Sequence, residues 1–124
     1  MAIGINSNYW LESVSPLGNA GVFTSTTRDA YGAGGSSLTP ATTSQWAYAS
    51  FVVLADQTGT ALLQGSQNPS GGPWYTVAGT TNNIVASTPL YLFSPICFQF
   101  WRVQVTNGAT PQTVFNLNFA FTSF

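Results

Sequence analysis

Phe115-Asn116-Leu117-Asn118-Phe119-Ala120-Phe121-Thr122 alternates between large apolar side chains and small or polar ones. A period of two puts Phe115, Leu117, Phe119 and Phe121 on one side of an extended strand and the other four on the opposite side. The segment before it repeats the pattern. Trp101, Val103 and Val105 share one face, with Gln99 on their side, and Phe100, Arg102 and Gln104 share the other. Thr106-Asn107-Gly108-Ala109-Thr110-Pro111 separates the two runs. Asn-Gly and Pro are turn residues, so the spacing predicts a hairpin with a loop longer than two residues.

Further upstream, Gln45 to Ala55 is apolar on both faces and ends at Asp56-Gln57-Thr58-Gly59. This reads as a buried strand followed by a turn. A helix over Thr43–Leu54 competes, but Phe51, Val52 and Val53 favour strand. Thr60 to Gln67 is the next strand, and Asn68-Pro69-Ser70-Gly71-Gly72-Pro73 is a loop. Trp74 to Val77, Asn83 to Ala86 and Pro89 to Phe93 are short strands, and Val22 to Arg28 is an early one. Ala30 to Thr42, rich in Gly, Ser and Thr, is the least ordered-looking part. Short strands separated by turn residues predict an all-β chain with few or no helices, an antiparallel β-sandwich of jelly-roll-like type. The 124 residues make one domain, 1–124, with residues 1–11 as an N-terminal arm.

Composition narrows the function. The chain is 44% hydrophobic and 15% aromatic, which is enough for a core. Only 4% is charged, far below the usual share of about 25%. The charges are Arg28, Arg102, Glu12, Asp29 and Asp56, with no lysine and no histidine. No basic stripe exists for nucleic acid. Without histidine there is no Ser-His-Asp or Cys-His catalysis and no histidine metal site. The net charge of -1 favours association. Cys97, the single cysteine, sits among Pro95, Ile96 and Phe98 and reads as a small buried hydrophobe, with an intermolecular disulfide as the alternative. Met1-Ala2-Ile3-Gly4 has no basic region or long apolar run, so no signal peptide is read there. No stretch reaches the length of a membrane span. Synthesis in a host cytoplasm is the resulting expectation.

Several of these blocks recur together in a known pattern. They are Phe23-Thr24-Ser25-Thr26, Ala55-Asp56-Gln57-Thr58-Gly59-Thr60, Leu63-Gln64-Gly65-Ser66-Gln67, Trp74, and the run from Trp101 to Phe115 with its Asn107-Gly108-x-x-x-Gln112-Thr113. In this combination the chain resembles small β-sandwich virion structural proteins of tailed bacteriophages, of decoration, cement, fibre or tail-associated type. The family's loop before the tryptophan usually carries Asp-Gly. Here it reads Asn68-Pro69-Ser70-Gly71-Gly72-Pro73, so no aspartate role is carried over. The resemblance implies a virion component.

Each candidate site has a plainer reading beside it. Asp56 lacks the Asp-Thr-Gly spacing and the second carboxylate of an aspartic protease, and reads as a turn residue accepting backbone N–H groups. Arg102 reads as a partner of Asp56 or Asp29, or as snorkelling past the strand edge, with a carboxylate-binding role as the alternative. Arg28-Asp29 reads as a local or intersubunit pair. Trp74 and Tyr75, after the Gly-Pro loop, are the best candidates for stacking a sugar. Their plainer role is loop packing or subunit contact, with Trp46 and Trp101 in the core. Three scattered acids assemble no calcium site. Gly32, Gly34 and Gly35 lack the lysine of a phosphate loop.

The expectation is a non-enzymatic virion structural protein without cofactor or metal. It decorates or cements a capsid by homo-oligomerisation and by contact with other virion proteins such as the major capsid protein. Ile3, Ile5, Tyr9, Trp10 and Leu11 form the assembly arm, so removing residues up to Trp10 should abolish assembly and leave a folded monomer. The alternative is a tail or fibre adhesion module that binds a host glycan through Trp74 and Tyr75.

Overall fold

In the computed structural model, residues 7–31, 46–68, 72–77 and 81–122 are described. The strands are β1 (Ser7–Ser13), β2 (Val22–Thr24), β3 (Arg28–Asp29), β4 (Tyr48–Ala55), β5 (Gly59–Ser66), β6 (Tyr75–Thr76), β7 (Asn82–Ile84), β8 (Leu90–Pro95), β9 (Phe100–Asn107) and β10 (Phe115–Thr122). No helix occurs among the described residues. The first sheet has the order β1-β10-β4-β8. In the second, β9 and β5 are central; β2 and β3 both pair with β9, and β6 and β7 both pair with β5. Every pairing is antiparallel.

The period-two patterns decide which side chains fill the space between the sheets. Phe115, Leu117, Phe119 and Phe121 of β10 are buried, as are Trp101, Val103 and Val105 of β9. They meet Phe51 and Val53 of β4 and Leu63 of β5. Burying a side chain of this size contributes about 1.5–3 kcal/mol. Rings interlock along one edge. Trp10 stacks on Phe119 with centroids 6.0 Å apart and meets Phe121 edge-on at 5.7 Å, while Trp46 stacks on Phe121 at 6.2 Å. The buried Trp101 donates its indole N–H to the Phe98 carbonyl at 2.7 Å.

The predicted hairpin does not form. β9 and β10 are consecutive in the chain but lie in different sheets, and residues 108–114 arch from one to the other. Side-chain hydrogen bonds hold this arch. Asn107 Nδ2 donates to the carbonyls of Gly18 and Thr110, each at 2.8 Å. Gln112 Oε1 accepts the Leu17 N–H at 2.9 Å, and the Gln112 N–H returns to the Leu17 carbonyl at 2.9 Å. The Asn-Gly-x-x-x-Gln-Thr motif thus ties the arch to the β1–β2 connection. Turn residues mark where a chain reverses, but they do not say which strand it pairs with next.

The expected strand Val22–Arg28 is broken in two. At the break, Ser25 Oγ accepts the Val103 N–H at 2.8 Å. A side chain takes the place of a backbone partner there, so the ladder pauses between β2 and β3.

Candidate functional site

Alternation that buries one face of each strand leaves the other face outward, and the two outer faces differ in chemistry. On the first sheet, register aligns Tyr9, Ala120, Ser50 and Phe93 in one row and Leu11, Asn118, Val52 and Tyr91 in the next. Tyr9 is 72% exposed, Leu11 58%, Tyr91 57% and Phe93 54%. The small residues Ala120 and Ser50 between the flanking rings leave an open hollow of about 300 Å³ beside Tyr9. Tyr91 and Phe93 lie with centroids 5.9 Å apart, and Tyr48 meets Phe93 edge-on at 5.8 Å. None of these outward positions is charged.

The outer face of the second sheet is hydrogen-bonding. Thr60, Leu62 and Gln64 of β5 lie opposite Thr106, Gln104 and Arg102 of β9. Thr24 of β2 and Thr76 of β6 extend the rows through Gln104 and Gln64. Arg102 Nε donates to Gln64 Oε1 at 2.8 Å, and the guanidinium lies over the Trp74 ring at 4.2 Å. Trp74 depends on the glycine before it but one. Gly72 has φ +83°, and a Cβ there would lie 2.6 Å from the Trp74 N and 2.9 Å from its Cδ1. Partial burial lowers the Arg102 pKa below its ordinary value.

Several expected pairings are corrected. Arg102 meets neither Asp56 nor Asp29; its partners are Gln64 and Trp74. Arg28 pairs with Glu12 rather than with its neighbour Asp29, at 2.7 Å through Nη2. It also lies over the Trp10 ring at 4.4 Å. The Glu12 side chain is 2% exposed and that of Arg28 21%, so a nearly buried ion pair ties β1 in the first sheet to β3 in the second. Glu12 sits where the β1–β10 register shifts between Leu11 and Ser13. A bulge of this kind re-aims side chains and has no sequence signal here. Asp29 accepts the Tyr31 N–H at 2.8 Å and faces the Gln99 amide at 3.3 Å.

Asp56 accepts backbone N–H groups, but from the neighbouring β10 end of the arch rather than from its own turn. Its Oδ1 takes the Thr113 and Val114 N–H groups at 3.0 and 3.1 Å, and the Thr113 hydroxyl donates to Oδ2. The Thr113 hydroxyl, then the Val114 N–H, hold its pKa down to about 2. Cys97 is exposed, not buried. Ile96 and Phe98 on either side turn toward the core, and alternation puts the thiol outward.

Trp74 and Tyr75 do not form one platform. As neighbours in an extended segment they diverge. Trp74 goes to Arg102 on the outer face, and Tyr75 stacks on Phe98 at 6.0 Å, which in turn meets the buried Trp101 edge-on. The Phe98 ring occupies the space a Cβ at Gly65 would need. Trp101 is fully buried, as expected, and Trp46 packs partly buried against the core. Of the arm residues, Tyr9, Trp10 and Leu11 belong to β1 and pair with β10 of the same chain. Ile3 and Ile5 lie outside the described residues, as do Gly32, Gly34 and Gly35 and the central part of the 68–73 loop. The exposed rings of Tyr91 and Phe93 were not singled out from sequence. The signal was the apolarity of both faces of Leu90-Tyr91-Leu92-Phe93, a pattern of strands covered on both sides.

No curated protein matches the sequence. Among solved structures, PBSX exported protein XepA is similar with a TM-score of 0.74 and 18% identity, over 94% of this chain and 37% of that one. This chain therefore spans little more than a third of XepA's length. A protein of Bacillus endospore appendages, described as a family of disulfide-linked pili, aligns at TM-score 0.51 and 15% identity over 97% of this chain and 89% of that one. The Yersinia pseudotuberculosis-derived mitogen aligns at 0.50 and 13%, over 98% and 86%. At these identities the likeness is one of fold. Residues 1–122 match the family described as the N-terminal domain of the uncharacterised protein YqxG, and to that family the chain belongs.

Proposed function

We propose that this chain is a non-enzymatic structural protein of a phage particle, which decorates or cements the capsid through self-association and contact with other virion proteins such as the major capsid protein. The observation that carries this reading is the uncharged outer face of the first sheet, with Tyr9, Leu11, Tyr91 and Phe93 more than half exposed. These four side chains offer on the order of 400 Å² of surface. That is about half of what one partner contributes to a standard protein interface. The four fall in two exposed apolar groups, Tyr9 with Leu11 on β1 and Tyr91 with Phe93 on β8, one at each edge of the sheet. Exposed apolar side chains grouped on one face mark interaction sites. The fold likeness to PBSX exported protein XepA, and to the endospore appendage protein, supports a structural role. The three acids are each engaged in separate local networks, which supports a role without catalysis.

Assembly would work by area. Repeated contacts add through multivalency, and an uncharged face loses little to salt screening. Tyr9 and Leu11 keep a place in it as outward residues of β1, while Trp10 serves the fold. The test is the mass of the purified chain in solution beside that of the double variant Tyr91→Asp, Phe93→Asp. A wild-type oligomer that the variant reduces to folded monomer fits the reading. An unchanged mass refutes it.

A second reading has its own observation. The Trp74, Arg102 and Gln64 cluster on the opposite face suits an adhesion module of a tail or fibre that binds a host glycan. Loss of Trp74 would then remove saccharide binding and leave assembly intact.

A further inference from the structure

Arg102 stands apart in the charge inventory. The chain has two arginines, no lysine and three acids. Arg28 is paired with Glu12. Asp29 is engaged by the Tyr31 N–H and faces Gln99, and Asp56 is engaged by Thr113 and Val114. Arg102 meets no carboxylate among the described residues; its contacts are Gln64 through Nε and the Trp74 ring. A guanidinium fixed on one edge and stacked on a ring is pre-organised, and its two outer Nη groups form a fork that matches a carboxylate. The surrounding outward positions are Thr24, Thr76 and Gln104, with Leu62 and Val22 as the apolar exceptions. Amide and hydroxyl groups on an open sheet suit a ligand rich in hydroxyls. A protein partner would need an apolar, desolvated centre, which the other sheet offers instead.

We propose that the outer face of the second sheet is a binding site for a carboxylate-bearing saccharide, with Arg102 taking the carboxylate and Trp74 and Gln64 fixing the guanidinium. The inference rests on the glycan reading, whose ligand class it names, and is independent of the assembly reading.

The test titrates the full chain with tetragalacturonate and sialyllactose, with fully methyl-esterified tetragalacturonate and neutral maltotetraose as controls. Heat and tryptophan fluorescence are read together. At least one of the two acidic saccharides should bind and both controls should bind at least tenfold more weakly, as expected for loss of a charge-assisted hydrogen-bond pair. Arg102→Gln should lose the binding. Arg102→Lys, which keeps the charge without the fork, should weaken it about tenfold. Circular dichroism and melting of both variants should match wild type, which separates loss of binding from loss of fold. Equal binding of the methyl ester, or undiminished binding by a folded Arg102→Gln chain, overturns the carboxylate role while leaving a glycan site standing. No binding of any of the four saccharides at millimolar concentration overturns the inference and the glycan reading together.

Discussion

The two outer faces of this molecule come from the same alternation rule and have opposite chemistry. The first sheet turns Tyr9, Leu11, Tyr91 and Phe93 outward, with a hollow over Ala120 and Ser50 beside Tyr9. The second turns out Thr24, Gln64, Thr76, Arg102 and Gln104. Both sheets bury a nearly continuous apolar inner face, so folding is served equally by each. The difference lies in what remains after folding. One face gains by leaving water, and the other gains by hydrogen bonding to something that arrives in water. A chain with so few charges does not keep its first-sheet face apart by repulsion, which is why that face is the one assigned to assembly.

The comparison collapses most completely if the sheets come apart. Arg28→Ala leaves the nearly buried Glu12 carboxylate unpaired and strips Trp10 of its cation. The expected loss is about 3–5 kcal/mol, read by urea unfolding. A loss below about 1 kcal/mol would mean the pair is not part of what joins β1 to β3.

Within β1, adjacent residues separate folding from assembly. Trp10→Ala removes a ring stacked on Phe119 and edge-on to Phe121 and should cost about 3 kcal/mol, since the site is only partly buried. Tyr9→Ala should change stability by no more than about 0.5 kcal/mol and weaken association instead. Removing residues up to Trp10 is therefore no clean test of an arm, because it deletes part of a core strand. If Tyr9→Ala also unfolds the chain, the outward reading of β1 fails.

A smaller effect sharpens the role of the turn at Asp56. Its folded-state pKa of about 2 lies below the ordinary value of 3.8. The carboxylate thus contributes stability that is present above pH 4 and lost as pH falls through about 2. Asp56→Asn should flatten that part of the acid-stability curve and leave both outer faces unchanged. An unaltered acid limb would place the acid sensitivity elsewhere.

How much of this was legible in the sequence depends on the kind of information each residue carries. Phe115 to Thr122 announces its strand and its buried face because period two is a local property. β9 follows for the same reason, while β4, β5 and β8 were placed to within three residues by apolar runs and the turn residues between them. Pairing is not local. Asn107 to Thr113 looks like a hairpin loop, yet its amide side chains bind Leu17 and Gly18 and carry the chain to the other sheet. Trp74 and Arg102 were both visible as candidates. That they stack on each other depends on the registers β5–β9 and β5–β6, which no single segment encodes. Trp74 and Tyr75 looked like a pair only because they are adjacent, and adjacency in an extended segment sends side chains apart. The Glu12–Arg28 pair was hidden by the bulge that aims Glu12 inward.

The assignment of the first-sheet face to assembly is tested most directly by light scattering on the purified chain at low and high salt. The expected result is a defined oligomer whose mass does not fall as salt rises, and which Tyr91→Asp, Phe93→Asp reduces to a folded monomer. A wild-type chain that is monomeric at both salt concentrations, or an oligomer that dissociates as salt screens charge, would contradict it.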